Sequence, residues 1–317
     1  MAKKKMIVVG TTKGGIGKTY TSIALVDMMR AAGVLQGAPD EVRARKTYPI
    51  LMDRLGKAAA DVLPIDVDVE PGSDRGKSSL ARMIKDAVPY AIEPTDEEIA
   101  ADPRILMAHF DKLYQMTVKA PVSLVDLGAN VINRFWDWAE QSEVASEWAG
   151  NDVDLHFVAP TTADETGFVM AADALERIAG ICKPHGMTLK MYLVLNYRGQ
   201  GQFQRYANSD AWKRLQDLGK GNNLSTIHLK ECVYDLSEQV DMLGIPPSEI
   251  LKMSSAEAAA KLQNLPADWD SDVVALKFKR SQNKLIEWYG QVLTQSLLLG
   301  LLGDGTFKTK KDDPWML

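Results

Sequence analysis

The chain has 317 residues, 46% of them hydrophobic and 25% charged, with a formal net charge of −5. This is the composition of a soluble globular protein long enough to bury a full core, as one large domain or two modest ones. It excludes a disulfide-built scaffold and a surface coated in positive charge, though a local basic patch stays possible, and no run reaches the ~20 apolar residues of a spanning helix. Cys182 and Cys232 lie far apart without metal-ligand spacing and read as reduced thiols of a cytosolic protein. "MAKKK" carries the charge of a secretory leader, but the apolar run behind it is only Met6–Val9, which the first strand needs.

The first predicted strand, Lys5–Gly10, runs into "GTTKGGIGKTYTS", Gly10 to Ser22, and a helical pattern follows over Thr19–Ala32. A long connection, 34–61, comes next, with a helix of its own expected around Ile50–Ala60. Strands are then expected at Val62–Val69, Val122–Leu127, Asp154–Pro160, Leu189–Asn196 and Ser225–Leu229. Helices are expected at Arg75–Val88, Glu97–Lys119, Ala163–Ala179, Asp210–Leu218 and Val233–Leu243. Strands such as "VSLVDL" and "LKMYLVLN" are apolar without alternation, which suits strands buried on both faces. Strand and helix in alternation predict an α/β fold, a doubly wound, mostly parallel sheet with helices on both faces. Residues 1–253 form the expected main domain, interrupted by segments near 34–61 and 130–150. A helical extension, 254–317, packs on it and ends in the polar "KTKKDDPWML". The segment Asn130–Gly150 holds Trp136, Trp138 and Trp148 in an acidic, helical stretch.

Chemistry concentrates in the glycine loop. It holds four glycines, with Lys13 and Lys18 at either end of the cluster Gly14, Gly15, Ile16 and Gly17. Glycines let successive backbone N–H groups converge on phosphate oxygens, and the helix that follows presents its positive end there. Lys18 would reach the outer phosphates of a nucleotide, and the Thr19 hydroxyl would ligate Mg²⁺. Measured against G-x-x-x-x-G-K-[ST], the first glycine is missing, because Thr12 occupies that position. Further carboxylates stand at strand ends: Asp66 and Asp68 in "PIDVDVEPG", and Asp126 in "VSLVDLGAN". In a parallel sheet these positions face the crevice where ligands bind.

"KGGIGKT" resembles the deviant phosphate loop of the ParA/MinD family of ATPases. The resemblance implies a P-loop NTPase of the SIMIBI type that binds ATP and Mg²⁺ and closes as an ATP-sandwich homodimer. Lys18 would serve the phosphates of its own chain, and Lys13, the signature lysine, would cross to the partner's. The positions from Lys13 to Tyr20, with Asn196 at the end of "LVLNYRG", would hold the nucleotide, Asn196 by reading adenine. Asp68 would orient the attacking water, with Asp66 and Asp126 near the metal. "FVAPTTADETG" resembles the family's strand end near the dimer interface, with Thr162 or Ala163 capping the next helix. "VYDLSEQVDMLGIPPSEI" resembles the turn near the base. Together these landmarks cover roughly residues 5–250. Departures are Tyr20, where a small hydroxyl residue is usual, the run "VEPGSDRGK", and a longer spacing between the glycine loop and Asp66.

No Asp follows Asn196 in the manner of a GTPase, so ATP is favoured over GTP. The family reading implies a slow ATPase, stimulated by a ParB-like adaptor protein, that positions plasmid or chromosomal DNA or another cargo. For non-specific DNA, the candidate contacts are Arg198, Arg205, Lys213, Arg214, Lys220, Lys230 and Lys277–Arg280. For a MinD-like membrane surface, the candidate is the apolar helix Lys284–Leu302, which lacks a basic polar face. Other classes stay open: a metabolic P-loop enzyme of the same superfamily, or a scaffold that binds ATP without turnover. A nitrogenase-type iron protein is excluded, because "DLGANVINRF" carries no cluster cysteine.

Overall fold

The computed structural model describes residues 3–15, 17–32, 61–67, 79–92, 94–197, 202–221, 223–231, 236–237, 244–262 and 269–302. The expected helices at Ile50–Ala60 and Val233–Leu243, the segment 34–60, Cys232 and the polar C-terminal run lie wholly or mostly outside these residues.

The described residues divide into two compact units, one built from residues up to Ser22 and from Asp61 to Leu229, the other from residues 23–32 and 230–302. The first unit holds a seven-stranded sheet. Its strands are β1 (Lys4–Val9), β2 (Val62–Asp66), β3 (Val88–Pro89), β4 (Val122–Asp126), β5 (Val153–Thr162), β6 (Leu189–Asn196) and β7 (Asn223–Leu229). The spatial order is β3-β2-β4-β1-β5-β6-β7, and every neighbouring pair is parallel. Strands β2, β3 and β4 lie on one side of β1 and β5 to β7 on the other. The chain therefore winds outward in both directions from its first strand, the arrangement that opens a crevice at the carboxyl ends of the central strands. Consecutive residues Met6 to Val9 are buried, as are Met191 to Leu195, so both faces of these strands are covered.

The helices between the strands are α1 (Lys18–Ala32), α2 (Ser79–Met83), α3 (Asp96–Ala101), α4 (Arg104–Lys119), α5 (Ile132–Gln141), α6 (Val144–Gly150), α7 (Glu165–Cys182) and α8 (Asp210–Gly221). Two helical expectations change. The single helix expected over Glu97–Lys119 is two, because Asp102 leaves helical geometry ahead of Pro103, whose ring disfavours a helical residue before it. The helix expected over Arg75–Val88 is described only at Ser79–Met83, and Val88–Pro89 forms the edge strand β3 instead. Two residues, one of them a proline, carry no periodic signal. A proline is tolerated in a sheet only where it need not donate inward, as on an edge.

The tryptophan-rich stretch is core. Trp136, Trp138 and Trp148 are each no more than 2% exposed. Trp138 stacks on Phe110, packs edge-on against Trp148 and donates from Nε1 to Asp111 Oδ1 at 2.9 Å. Helices α5 and α6 thus bury their aromatic face with α4 against the sheet, and these three tryptophans offer no partner-binding surface. Cys182 is a buried free thiol whose pKa burial pushes up to about 12, so it stays protonated and inert.

The second unit contains the later part of α1 with α9 (Pro247–Lys252), α10 (Ser255–Lys261) and α11 (Ser271–Leu298). At its centre Asp27 of α1 accepts hydrogen bonds from Tyr289 Oη at 2.6 Å and Ser248 Oγ at 3.0 Å. Burial raises the Asp27 pKa to about 6, against the lowering effect of those two bonds and of Arg30 and Lys252. Within the expected membrane-surface helix, Leu285, Trp288, Tyr289, Val292 and Leu293 are buried. Trp288 also donates to the Lys230 carbonyl at 2.7 Å. These five apolar side chains are therefore taken up by packing. Among the described residues no helix is long and apolar enough to cross a membrane.

Candidate functional site

The carboxyl edge of the sheet gathers the predicted residues by register. Asp66 ends β2 and Asp126 ends β4, and the two are paired neighbours. Val9, the last residue of β1, is the next partner of Asp126, so the glycine loop leaves the sheet directly beside the two carboxylates. In-register residues on adjacent parallel strands project to the same face, and both side chains are essentially buried. Asp66 Oδ2 accepts the Ala81 N–H at 2.8 Å, which ties the start of α2 to the strand end. Two like charges side by side in a buried position are costly unless cations or donors compensate them. Among the described residues no group of three or more His, Cys, Asp or Glu side chains could hold a metal ion.

The loop itself turns through left-handed backbone at Gly15 (φ 71°) and Gly17 (φ 88°). A Cβ at Gly14 or Gly15 would meet nothing within 4 Å, so that side of the loop is open. A Cβ at Gly17 would fall 2.2 Å from Asn196 Nδ2, so Gly17 is required both by its conformation and by the approach of Asn196. The Gly17 carbonyl accepts the Thr21 N–H and the Thr21 hydroxyl, both at 2.9 Å, and so starts the hydrogen-bond ladder of α1. Lys18 is buried at the first position of that helix, and its Nζ donates to the Lys13 carbonyl at 2.6 Å. Thr19 is half-buried behind it, and Tyr20 is 38% exposed. Positive-φ glycines, a lysine at a helix N-terminus and two adjacent carboxylates are a donor set that fits a Mg²⁺–nucleotide. Ile16 and Asp68 lie outside the described residues.

Asn196 ends β6 opposite Thr162 of β5 and is 6% exposed. Its side chain lies against Gly17, so the structure places it at the foot of the loop. The end of β5 brings in a residue that sequence reasoning missed. Helix α7 is capped by Asp164, not by Thr162 or Ala163: Asp164 Oδ1 accepts the Gly167 N–H at 2.8 Å. Asp at an N-cap is among the strongest helix-start signals, and "TADETG" offered it. The same Oδ1 accepts a hydrogen bond from Lys13 Nζ, and Oδ2 accepts one from Thr162 Oγ1 at 2.6 Å. Burial raises the Asp164 pKa, but these donors outweigh it and hold the carboxyl below the usual carboxylate range. No local signal in the sequence joins Lys13 to a residue 151 positions away.

Of the expected DNA contacts, Lys213 pairs with Asp210, Lys220 with Asp217, and Arg214 with Asp173 and Glu176. Lys277 lies over the Trp269 ring, 4.2 Å from its centroid. Arg198 lies outside the described residues. The three charges on α8 are therefore locally balanced and do not form a bare basic stripe.

Fold and site together define a doubly wound parallel α/β protein whose central strand feeds a glycine loop and a helix at the crevice of the sheet. No protein-family model matches the chain, and no curated protein matches it. Among solved structures it is similar to the crystal structure of a plasmid partition protein from Borrelia burgdorferi. The TM-score is 0.33 and the identity 13%, over 76% of this chain and 96% of that one.

Proposed function

We propose that this chain is a Mg²⁺-dependent ATPase of the ParA/MinD type, which dimerises when it binds ATP and positions DNA or another cargo through a stimulating partner protein. The observation that carries this reading is the meeting of the Lys13–Tyr20 loop with Asp66 and Asp126 at the carboxyl ends of three adjacent strands. Phosphoryl transfer to water needs little from a protein beyond positioning and charge neutralisation. The loop N–H groups and Lys18 would hold phosphate oxygens, and Thr19, Asp66 and Asp126 would hold Mg²⁺ directly or through water. The bound metal supplies charge that offsets the triphosphate. Asp68 is the candidate for orienting the attacking water, and Asn196 for contact with the base.

Burial of Leu285, Trp288, Tyr289, Val292 and Leu293 weighs against α11 as a membrane anchor. DNA contact would fall to basic residues outside the balanced pairs on α8, such as Arg205 and Lys230. The test is the solution mass with ATP and Mg²⁺, with ADP, and with ATP after Lys13→Ala. A dimer seen only with ATP, and lost on Lys13→Ala, is the expected result. A mass indifferent to nucleotide and to Lys13 overturns the switch and favours a metabolic P-loop enzyme.

A further inference from the structure

Both loop lysines are anchored within the chain. Lys18 donates to the Lys13 carbonyl, and Lys13 forms an ion pair with Asp164. The second contact joins the loop after β1 to the first residues after β5, and β1 and β5 are paired neighbours. Asp164 is well fixed for the purpose: one oxygen caps α7 through Gly167, and the other takes the Thr162 hydroxyl. The Asp164 carboxylate neutralises the Lys13 ammonium and would repel a partner's phosphate, so Lys13 meets that phosphate at full strength only after leaving Asp164.

We propose that Asp164 is a positioning residue that holds Lys13 in cis, so that closure of an ATP-bound pair of chains must exchange the Lys13–Asp164 ion pair for a contact to the partner. This rests on the reading of Lys13 as the residue that crosses between chains. Asp164 then sets the threshold of the switch: it opposes dimers at low protein or ATP concentration and returns Lys13 to its own chain when the dimer opens. The side chains of Lys13 and Asp164 are 26% and 39% exposed, so the pair is screened by water and each copy opposes closure only modestly. Two copies must break per dimer, and the threshold shifts about five- to thirtyfold on their removal.

The experiment is the dimer dissociation constant of the full-length protein with Mg²⁺ and ATP, measured by analytical ultracentrifugation for Asp164→Asn, Asp164→Ser and Asp164→Glu. Asn and Ser both keep a good N-cap but lose the charge, whereas Glu keeps the charge but caps poorly. An ion-pair role makes Asn and Ser dimerise about five- to thirtyfold more tightly than the unmodified chain and leaves Glu near it. A capping role alone gives the opposite pattern, with Asn and Ser unchanged and Glu the outlier, and overturns the proposal. A weaker dimer in Asp164→Asn also overturns it, since Asp164 would then support the closed pair. If the unmodified chain dimerises with ATP and loses this on Lys13→Ala while the Asp164 variants do not tighten, the switch stands and only the Asp164 role fails. An unmodified chain that never dimerises with ATP removes both.

Discussion

The two ends of the same sheet treat buried charge in opposite ways. At the amino edge, Asp154 of β5 accepts from His156 Nε2 at 2.9 Å and pairs with Lys190 of β6 at 3.3 Å. An ionised carboxylate only accepts, so Nε2 carries the proton, and Nδ1 is left to accept from Tyr192 Oη at 3.2 Å. His156 is fully buried, and burial pushes its pKa below the ordinary value against the pull of Asp154. Burial also acts to raise Asp154, but His156 and Lys190 hold its carboxyl well below the usual range. Positive, neutral and negative groups are thus matched across a strand pair within the sheet itself. At the carboxyl edge, Asp66 and Asp126 are neighbours, and Lys13 and Lys18 stand on the glycine loop and at the first position of α1. The amino edge balances its charges within the fold, whereas under the proposed function the carboxyl edge would balance its charges with a bound ligand. Such sites commonly carry a cost in stability.

Substitutions at the two edges should therefore separate binding from stability. The largest effect is expected for Lys18→Ala, which should weaken ATP binding about 10- to 100-fold by equilibrium dialysis, from loss of a charge-assisted phosphate contact. Its thermal midpoint without nucleotide should hardly move, and a large fall there would break the comparison. Asp126→Asn should cut Mg²⁺-dependent phosphate release about 100-fold, while stability without nucleotide rises by about 1 kcal/mol as a buried charge disappears. Equal losses of stability and activity would place Asp126 among the structural charges. Gly17→Ala should cost about 1–3 kcal/mol in denaturant unfolding and abolish binding, because a Cβ at φ 88° would also strike Asn196.

At the amino edge the expectation inverts. Asp154→Asn should cost about 1–3 kcal/mol with ATP affinity unchanged. The unmodified chain should also lose stability as pH falls below 6.5, where the unfolded chain protonates a histidine that the fold keeps neutral, and further below 4 as Asp154 is titrated. The second unit carries the reverse sign. Asp27, raised to about 6, binds its proton more tightly folded than unfolded. Its contribution is fully present below pH 4 and is lost as pH rises through 6. Asp27→Asn should remove that slope, which amounts to at most about 3 kcal/mol, and the difference between the two stability–pH curves measures it.

Unbroken apolar runs ended by acids, alternating with helical spacing, determined a parallel α/β sheet, because strands covered on both faces leave no polar alternation. "KGGIGKT" between a strand and a helix marked the loop, since only closely spaced glycines permit the turns seen at Gly15 and Gly17. Tertiary structure alone decided the rest. A two-residue edge strand has too few residues to show a period, so β3 was invisible. The burial of Trp136, Trp138 and Trp148 was not legible either, because composition does not say which face of a helix meets a neighbour. Asp66 and Asp126 became neighbours only through sheet register. The Lys13–Asp164 pair depends on β1 and β5 lying side by side, a contact between distant parts of the chain that local propensity does not encode.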